Sequence, residues 1–382
     1  MRLSNLLIFV VSVSLVFAGA ELLLRKLDIS YPEFNQLDAK YGWAPRPGVE
    51  GWYAFEGRTH FAINKDGFRD VDHTVGARPG VFRIAVLGDS FTEGREVPLD
   101  QTFWKVAETE LAACVPAGNE QIEVLGFGVN GYGAAQQLMI LRDKVWKYEP
   151  DVIVLAFFTG NDVVNNEPVL DEHPDRVYYR LQNNTLVLDN SRQRSAEFAD
   201  RKNASDRKHE IYNSLRSIQV LRQGYRSIRS AFKYRNTSLI EQLNTGLQSE
   251  LYKPPTGAWT RAWEVTEALV RQIALEAEEG GADFWIATLS NPIQVYPDES
   301  VRQAFAQELG VPDLLYPDRR IAELAKNESL KVITLVDSLG AMAKTLGKGL
   351  HGSSKFAGGH WNALGHRAAG KAMAREMCAT FK

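Results

Sequence analysis

Five short apolar runs recur along the chain, at residues 82–87, 122–126, 151–157, 284–289 and 332–336. Runs this short and this apolar read as strands buried on both faces. Between them lie stretches with helical spacing of apolar residues, at 102–113, 258–279 and 362–380. The second of these is closed by Gly280-Gly281, a helix stop. Strands alternating with helices predict an α/β fold, a parallel sheet covered on both faces. Segment 165–257 breaks the alternation and reads as an insertion, polar around Gln182-Asn183-Asn184-Thr185 and helical after that. There Ile211, Leu215, Ile218, Leu221, Tyr225, Ile228 and Phe232 lie three or four apart and predict one apolar helical stripe.

The N-terminus follows a different pattern. Residues 3–20 carry no charge, and 6–17 are almost continuously apolar. Ala18-Gly19-Ala20 fits a signal-peptidase site. Leu22-Leu23-Leu24 then resumes the apolar run without a helix breaker, so that 3–24 is long enough for one tilted span. An uncleaved signal anchor is the preferred reading of 1–27, a cleaved signal peptide the other. Either puts the rest of the chain outside the cytoplasm, periplasmic or at the cell surface, or secreted if cleaved. Arg2 faces Arg25-Lys26 across the span, which leaves the positive-inside rule silent on orientation. Residues 28–80, rich in Tyr, Trp, Pro and Gly, read as a juxtamembrane lead-in, and 81–382 as the main domain.

A chain of 382 residues and 42.8 kDa can bury a sizeable core. With 45% hydrophobic and 24% charged residues, wholesale disorder is excluded. A formal charge of -3 argues against nucleic acid as a partner. The charge is uneven, however: residues 192–235 hold twelve Lys or Arg against four Asp or Glu. This stretch reads as a solvated helix face covering the sheet edge, or as a cationic lid that meets anionic lipid or an acidic polysaccharide.

Chemistry-bearing residues gather where the strands end. Gly88-Asp89-Ser90-Phe91-Thr92 follows the first run directly, and the C-terminal ends of parallel strands are where open α/β sheets place ligands. The second run continues through Gly126-Phe127-Gly128-Val129-Asn130-Gly131, and Thr159-Gly160-Asn161-Asp162 follows the third. Near the C-terminus, Gly359-His360-Trp361-Asn362 opens the last helix. The second block satisfies G-x-G-x-x-G, yet it sits on the second strand and lacks an acidic residue closing a strand about twenty positions later. No nucleotide cofactor is therefore expected. No metal is expected either, because no histidine pair has ligand spacing.

The four blocks, in this order, resemble those of the SGNH hydrolases, the GDSL esterase and lipase family, from about Phe61 to the C-terminus. Asn64-Lys65-Asp66-Gly67-Phe68-Arg69-Asp70 resembles the lead-in of membrane-attached bacterial members. The resemblance implies a three-layer α/β/α flavodoxin-like sheet with the insertion as a helical lobe. It implies Ser90 as nucleophile and His360 as base, with Gly131 and Asn161 completing an oxyanion hole beside the Ser90 amide. His351 is a second candidate base, and His366 reads as a packed or capping side chain.

One departure stands out. The family carries Asp two or three positions before its histidine, where this chain has Gly358 and Ala357. Either a Ser–His dyad forms, with a backbone carbonyl orienting His360, or another acid substitutes. The dyad is preferred, and Asp337, after the fifth run, is the best substitute. In a flavodoxin-like sheet the first and last helices lie side by side, which brings Cys114 and Cys378 to the same end. A disulfide is expected there, with two separate buried thiols as the alternative. The implied activity is hydrolysis of small O-acyl esters, plausibly O-acetyl, on an extracytoplasmic glycan or lipid. Transfer of the acyl group to an exopolysaccharide by the same residues is one alternative. A catalytically silent glycan-binding or assembly protein is the other.

Overall fold

The computed structural model describes residues 3–171, 173–234, 237–353 and 356–381. It opens on helix α1 (Leu3–Lys26), long and apolar enough to cross a membrane, at mean hydropathy 2.4 over its most apolar 18 residues. Its length and composition suit a signal anchor or a signal peptide. Two antiparallel hairpins follow, Asn35–Asp38 with Gly42–Pro45 and Glu50–Ala54 with Arg58–Ala62.

The apolar runs then become one parallel sheet. Its strands are β1 (Val81–Gly88), β2 (Gln121–Gly128), β3 (Val152–Phe158), β4 (Asp283–Leu289) and β5 (Lys331–Thr334), in the spatial order β2-β1-β3-β4-β5. That is the flavodoxin-like order, and its switch point lies between β1 and β3. Val86 pairs with Gly126 on one side and Val154 on the other, so the three strand ends are level. Alternate residues face opposite layers. Ile84, Val86, Val154 and Ala287 pack under α2 (Phe103–Leu111), α9 (Leu335–Leu346) and α10 (Ala363–Thr380). Ala85, Leu87, Leu155 and Ile286 pack under α3 (Ala134–Ile140), α6 (Ala258–Glu279), α7 (Glu299–Leu309) and α8 (Tyr316–Asn327). Burial on both faces is why these strands read as unbroken apolar runs rather than alternating ones.

Between β3 and α6 the chain leaves the sheet for a hairpin, Tyr178–Gln182 with Thr185–Asp189, then α4 (Ala196–Ser214) and α5 (Arg216–Lys233). Two sequence expectations are corrected here. The apolar stripe from Ile211 to Phe232 is not one helix: it is broken at Leu215, whose extended backbone separates the two helices, and its residues face outward. Arg235, at the end of the basic stretch, lies outside the described residues. The fifth strand also stops earlier than its apolar run, because Leu335 and Val336 turn inward as the first residues of α9.

Cys114 and Cys378 form a disulfide with a Cα separation of 5.6 Å, as the side-by-side placement of α2 and α10 requires. Gly370 marks how near these helices run: a Cβ there would sit 2.4 Å from the Phe103 carbonyl oxygen. The bridge closes a loop of 264 residues in sequence separation. Removing it with Cys114→Ser should cost up to about 5–6 kcal/mol in the chain-entropy account. Chemical denaturation of the oxidised and substituted proteins measures the difference, and equal midpoints would refute a stabilising bridge.

Candidate active site

At the end of β1 the chain turns sharply into one helical turn, Ser90–Glu93. Asp89 caps it, its carboxylate accepting from the Phe91 N–H at 2.9 Å. Ser90 is thereby the first residue of the turn, and its own N–H has no intrahelical partner. Its Oγ lies 2.7 Å from His360 Nε2. The imidazole comes from the far end of the chain, on the strand Phe356–Trp361 that pairs with His351–Ser353. Phe91 packs beside it, ring centroids 4.9 Å apart.

The other ring nitrogen of His360 faces an acid that the sequence reading missed. Nδ1 lies 2.8 Å from Glu56 Oε2, which also accepts from the His360 backbone N–H at 2.8 Å. Glu56 occupies the turn of the Glu50–Ala54 and Arg58–Ala62 hairpin, in the lead-in before the sheet. A second carboxylate, Glu96, reaches the same nitrogen at 3.3 Å. This arrangement corrects both expectations for the third group: the ring is oriented by a side-chain acid, and that acid is not Asp337. Asp337 is exposed in the first turn of α9, because β5 ends three residues earlier.

The backbone explains why position 358 carries no side chain. A Cβ on Gly358 would fall 1.8 Å from the Gln242 carbonyl oxygen, so no aspartate fits. Gly359 has φ +87° and presses against Glu56, whose carboxylate would lie 2.6 Å from any Cβ. The space that a side chain would need is taken by the substitute acid.

Charge is concentrated at the ring. Burial alone would lower the His360 pKa, but the Glu96 and Glu56 carboxylates, with Asp89 behind them, raise it to about 10. Burial pushes Glu96 up to about 7 against the pull of His360. Glu56, partly buried, is nevertheless held below the ordinary carboxylate range by its bond to the His360 ring. Glu56, Glu96 and His360 are grouped closely enough to hold a cation, yet an imidazole nitrogen shared between two acids needs none to be satisfied.

His351 does not reach Ser90. Its buried ring bonds the Gly359 carbonyl at 2.8 Å and Ser290 Oγ at 3.3 Å, and burial lowers its pKa to about 3. Neutral His351 therefore props the residue before His360. His366 accepts from the Phe103 N–H at 3.2 Å and caps α2, the packed and capping part read from its place in a helix.

Asn161 and Gly131 flank the strand that ends at Ser90. Asn161 Nδ2 donates to Asp89 at 3.3 Å, and burial raises the Asp89 pKa to about 6. Gly131 has φ +77°, and its N–H has no protein partner among the described residues. Its carbonyl accepts from Arg176 at 2.6 Å, while Trp43 Nε1 donates to the neighbouring Asn130 carbonyl at 2.9 Å. Arg69, from the lead-in, donates to the Glu93, Gly94 and Val97 carbonyls and pins the chain after the Ser90 turn. These supports lie far from the four blocks in sequence. Only the Arg69 lead-in carried a signal that could have found one of them.

No family model and no curated protein matches the chain. Among solved structures it is similar to an acetyl xylan esterase, AlAXEase, at 13% identity and TM-score 0.39, over 76% of this chain and 98% of that one. A lipase from goat rumen metagenome, Lip_vut3, aligns at 12% identity and TM-score 0.42, over 79% and 100%. A putative lipolytic protein of the G-D-S-L family from Desulfitobacterium hafniense aligns at 12% identity and TM-score 0.37, over 77% and 98%.

Proposed function

We propose that the protein is a serine esterase that cleaves small O-acyl groups, acetyl first among them, from a glycan or lipid outside the cytoplasm. The observation that carries this reading is the line Ser90 Oγ to His360 Nε2 to Nδ1 to Glu56, with both spacings near 2.8 Å. A serine hydroxyl needs a base in hydrogen-bond reach, and the base needs an oriented ring. In the reaction, Ser90 Oγ attacks the acyl carbonyl as neutral His360 takes its proton at Nε2. Glu56 holds the Nδ1 proton and stabilises the imidazolium. The imidazolium then protonates the departing alcohol, and water repeats the cycle on the acyl-serine. The Ser90 and Gly131 amides and the Asn161 side chain are the donors assigned to the tetrahedral oxyanion, where each such donor typically contributes about 3–4 kcal/mol.

The acid supplied by Glu56 also weighs against a catalytically silent protein, because a serine paired with an oriented imidazole is equipped for turnover. Hydrolysis and transfer share every step up to the acyl-serine, and differ in whether water or an alcohol resolves it. Fluorophosphonate labelling of the full chain, followed by peptide mapping, tests the assignment. The adduct is expected on the peptide holding Ser90 alone. Labelling on another serine, or none, would refute it. An activated acetyl ester, supplied with and without a glycan acceptor, then separates hydrolysis from transfer.

A further inference from the structure

Helix α5 presents an apolar face that the protein leaves uncovered. Leu221, Tyr225, Ile228 and Phe232 are 61–71% exposed, spaced four, three and four residues apart along one side. The opposite side is polar and bonded to the body: Gln219 Oε1 accepts from the Tyr31 N–H at 2.7 Å and Gln223 Nε2 donates to the Ala54 carbonyl at 2.8 Å. The orientation of the helix is therefore fixed by the fold, with the apolar side outward. A contiguous apolar face of this kind on a soluble surface calls for a partner.

The position of the helix says which partner. Glu21, near the end of α1, accepts from the backbone N–H groups of Arg216 and Ser217 at 3.1 and 2.9 Å, capping α5 directly. Arg216 donates to the Leu24 carbonyl at 3.3 Å and to Asp28 at 3.0 Å. Elsewhere α1 has no cover: none of its most apolar 18-residue window is buried. Thus two uncovered apolar surfaces, a helix of spanning length and an amphipathic face, start from one hydrogen-bonded joint. Five Lys or Arg and no acid lie in α5, a composition suited to an anionic headgroup layer. Arg229 has no carboxylate partner among the described residues.

We propose that α5 lies in the membrane–water interface, with Leu221, Tyr225, Ile228 and Phe232 in the acyl boundary of the bilayer that holds α1. The inference rests on α1 being membrane-inserted. Its consequence is positional. Through Gln223 the helix grips the hairpin that carries Glu56, and a small cleft at its C-terminal end is lined by Phe55, Glu56, Ser230, Tyr234 and Phe356. Docking of α5 therefore brings the Ser90–His360–Glu56 site to the lipid surface, where a lipid-linked or membrane-tethered acyl ester would be presented.

Depth-resolved quenching tests this on the full-length protein in vesicles of phosphatidylcholine and phosphatidylglycerol. The native cysteines are bonded to each other, so a single introduced cysteine carries the fluorophore. Probes at Leu221→Cys, Ile228→Cys and Phe232→Cys should be quenched by brominated lipid and report depths of about 5–10 Å below the headgroups. A probe at Asn203→Cys, on the exposed side of α4, should be untouched, and one at Val11→Cys should lie deep. Quenching at Val11 but not on α5 overturns the proposal and leaves the anchor standing. No quenching at Val11 overturns both. A blue shift on α5 without lipid quenching means that a second copy of the chain covers the stripe, and likewise overturns it.

Discussion

Ser90→Ala should abolish fluorophosphonate labelling and reduce ester turnover on the order of 10⁵–10⁶-fold, while the melting temperature stays within a degree or two of the parent. The size of the loss follows from the nucleophile acting as one unit with its base: removing either typically costs about as much as removing the whole set. The stability side follows from local structure. The cap of the Ser90–Glu93 turn is Asp89, not Ser90, and the Ser90 hydroxyl makes its one good hydrogen bond to His360. Losing it removes no cap and opens no core cavity, so the change belongs with the near-neutral substitutions. A substituted protein that turns over within tenfold of the parent would end the serine-esterase reading, whatever the rest of the site looks like.

How the sheet was legible, and the third acid was not, comes down to locality. A strand buried on both faces writes its burial into consecutive residues, as Val152–Phe158 does, and the Gly or Ser turn at its end is adjacent in sequence. Ser90, Gly131 and Asn161 are therefore found by reading a few residues beyond each apolar run. His360 is legible for a similar reason, since it opens the last helix. Glu56 has no such signature. It sits in a short hairpin of a segment without clear periodicity, and what brings it to His360 is a contact across 304 positions of sequence. The clue available was negative, the two small residues Ala357 and Gly358 where the resemblance implies an aspartate. That says an acid is missing and not where its replacement lies. Asp337 is the sequence's best substitute because the apolar run reads as carrying β5 to the active edge. The same apolar residues instead begin α9, since Leu335 and Val336 serve as well for a helix's buried side as for a strand. Periodicity cannot separate the two over so short a run. The disulfide was legible only through the fold: no spacing rule pairs Cys114 with Cys378, but neighbouring first and last helices do. The stripe on α5 was legible as amphipathic but its direction was not, because amphipathicity reports a difference between two sides and not which one meets water.

Glu56→Gln should lower turnover by about 10³–10⁴-fold, the cost expected when the group orienting a catalytic imidazole loses its charge. Its pH profile separates an electrostatic role from a merely structural one. In the parent, the two carboxylates raise the His360 pKa to about 10, so at neutral pH the ring carries a proton that it must lose to act as a base. Activity should then climb as pH rises above neutral. Stability runs the other way: the folded-state pKa lies above the ordinary value of 6.5, so the contribution of the charged ring is complete below about 6.5 and is lost as pH rises through about 10. With glutamine at position 56, one of the charges stabilising imidazolium is gone, and the rising limb should move to lower pH even as its plateau drops. Glu96→Gln should move the limb in the same direction with a much smaller loss of plateau. The reason is geometric, since Glu56 keeps both its bond to Nδ1 and its bond to the His360 backbone. Full pH–rate profiles of the three proteins, with Asp337→Ala as a surface control, decide the matter. A Glu56→Gln enzyme with parent turnover, or an Asp337→Ala enzyme that loses a thousandfold, would remove Glu56 from the site and return the third acid to α9.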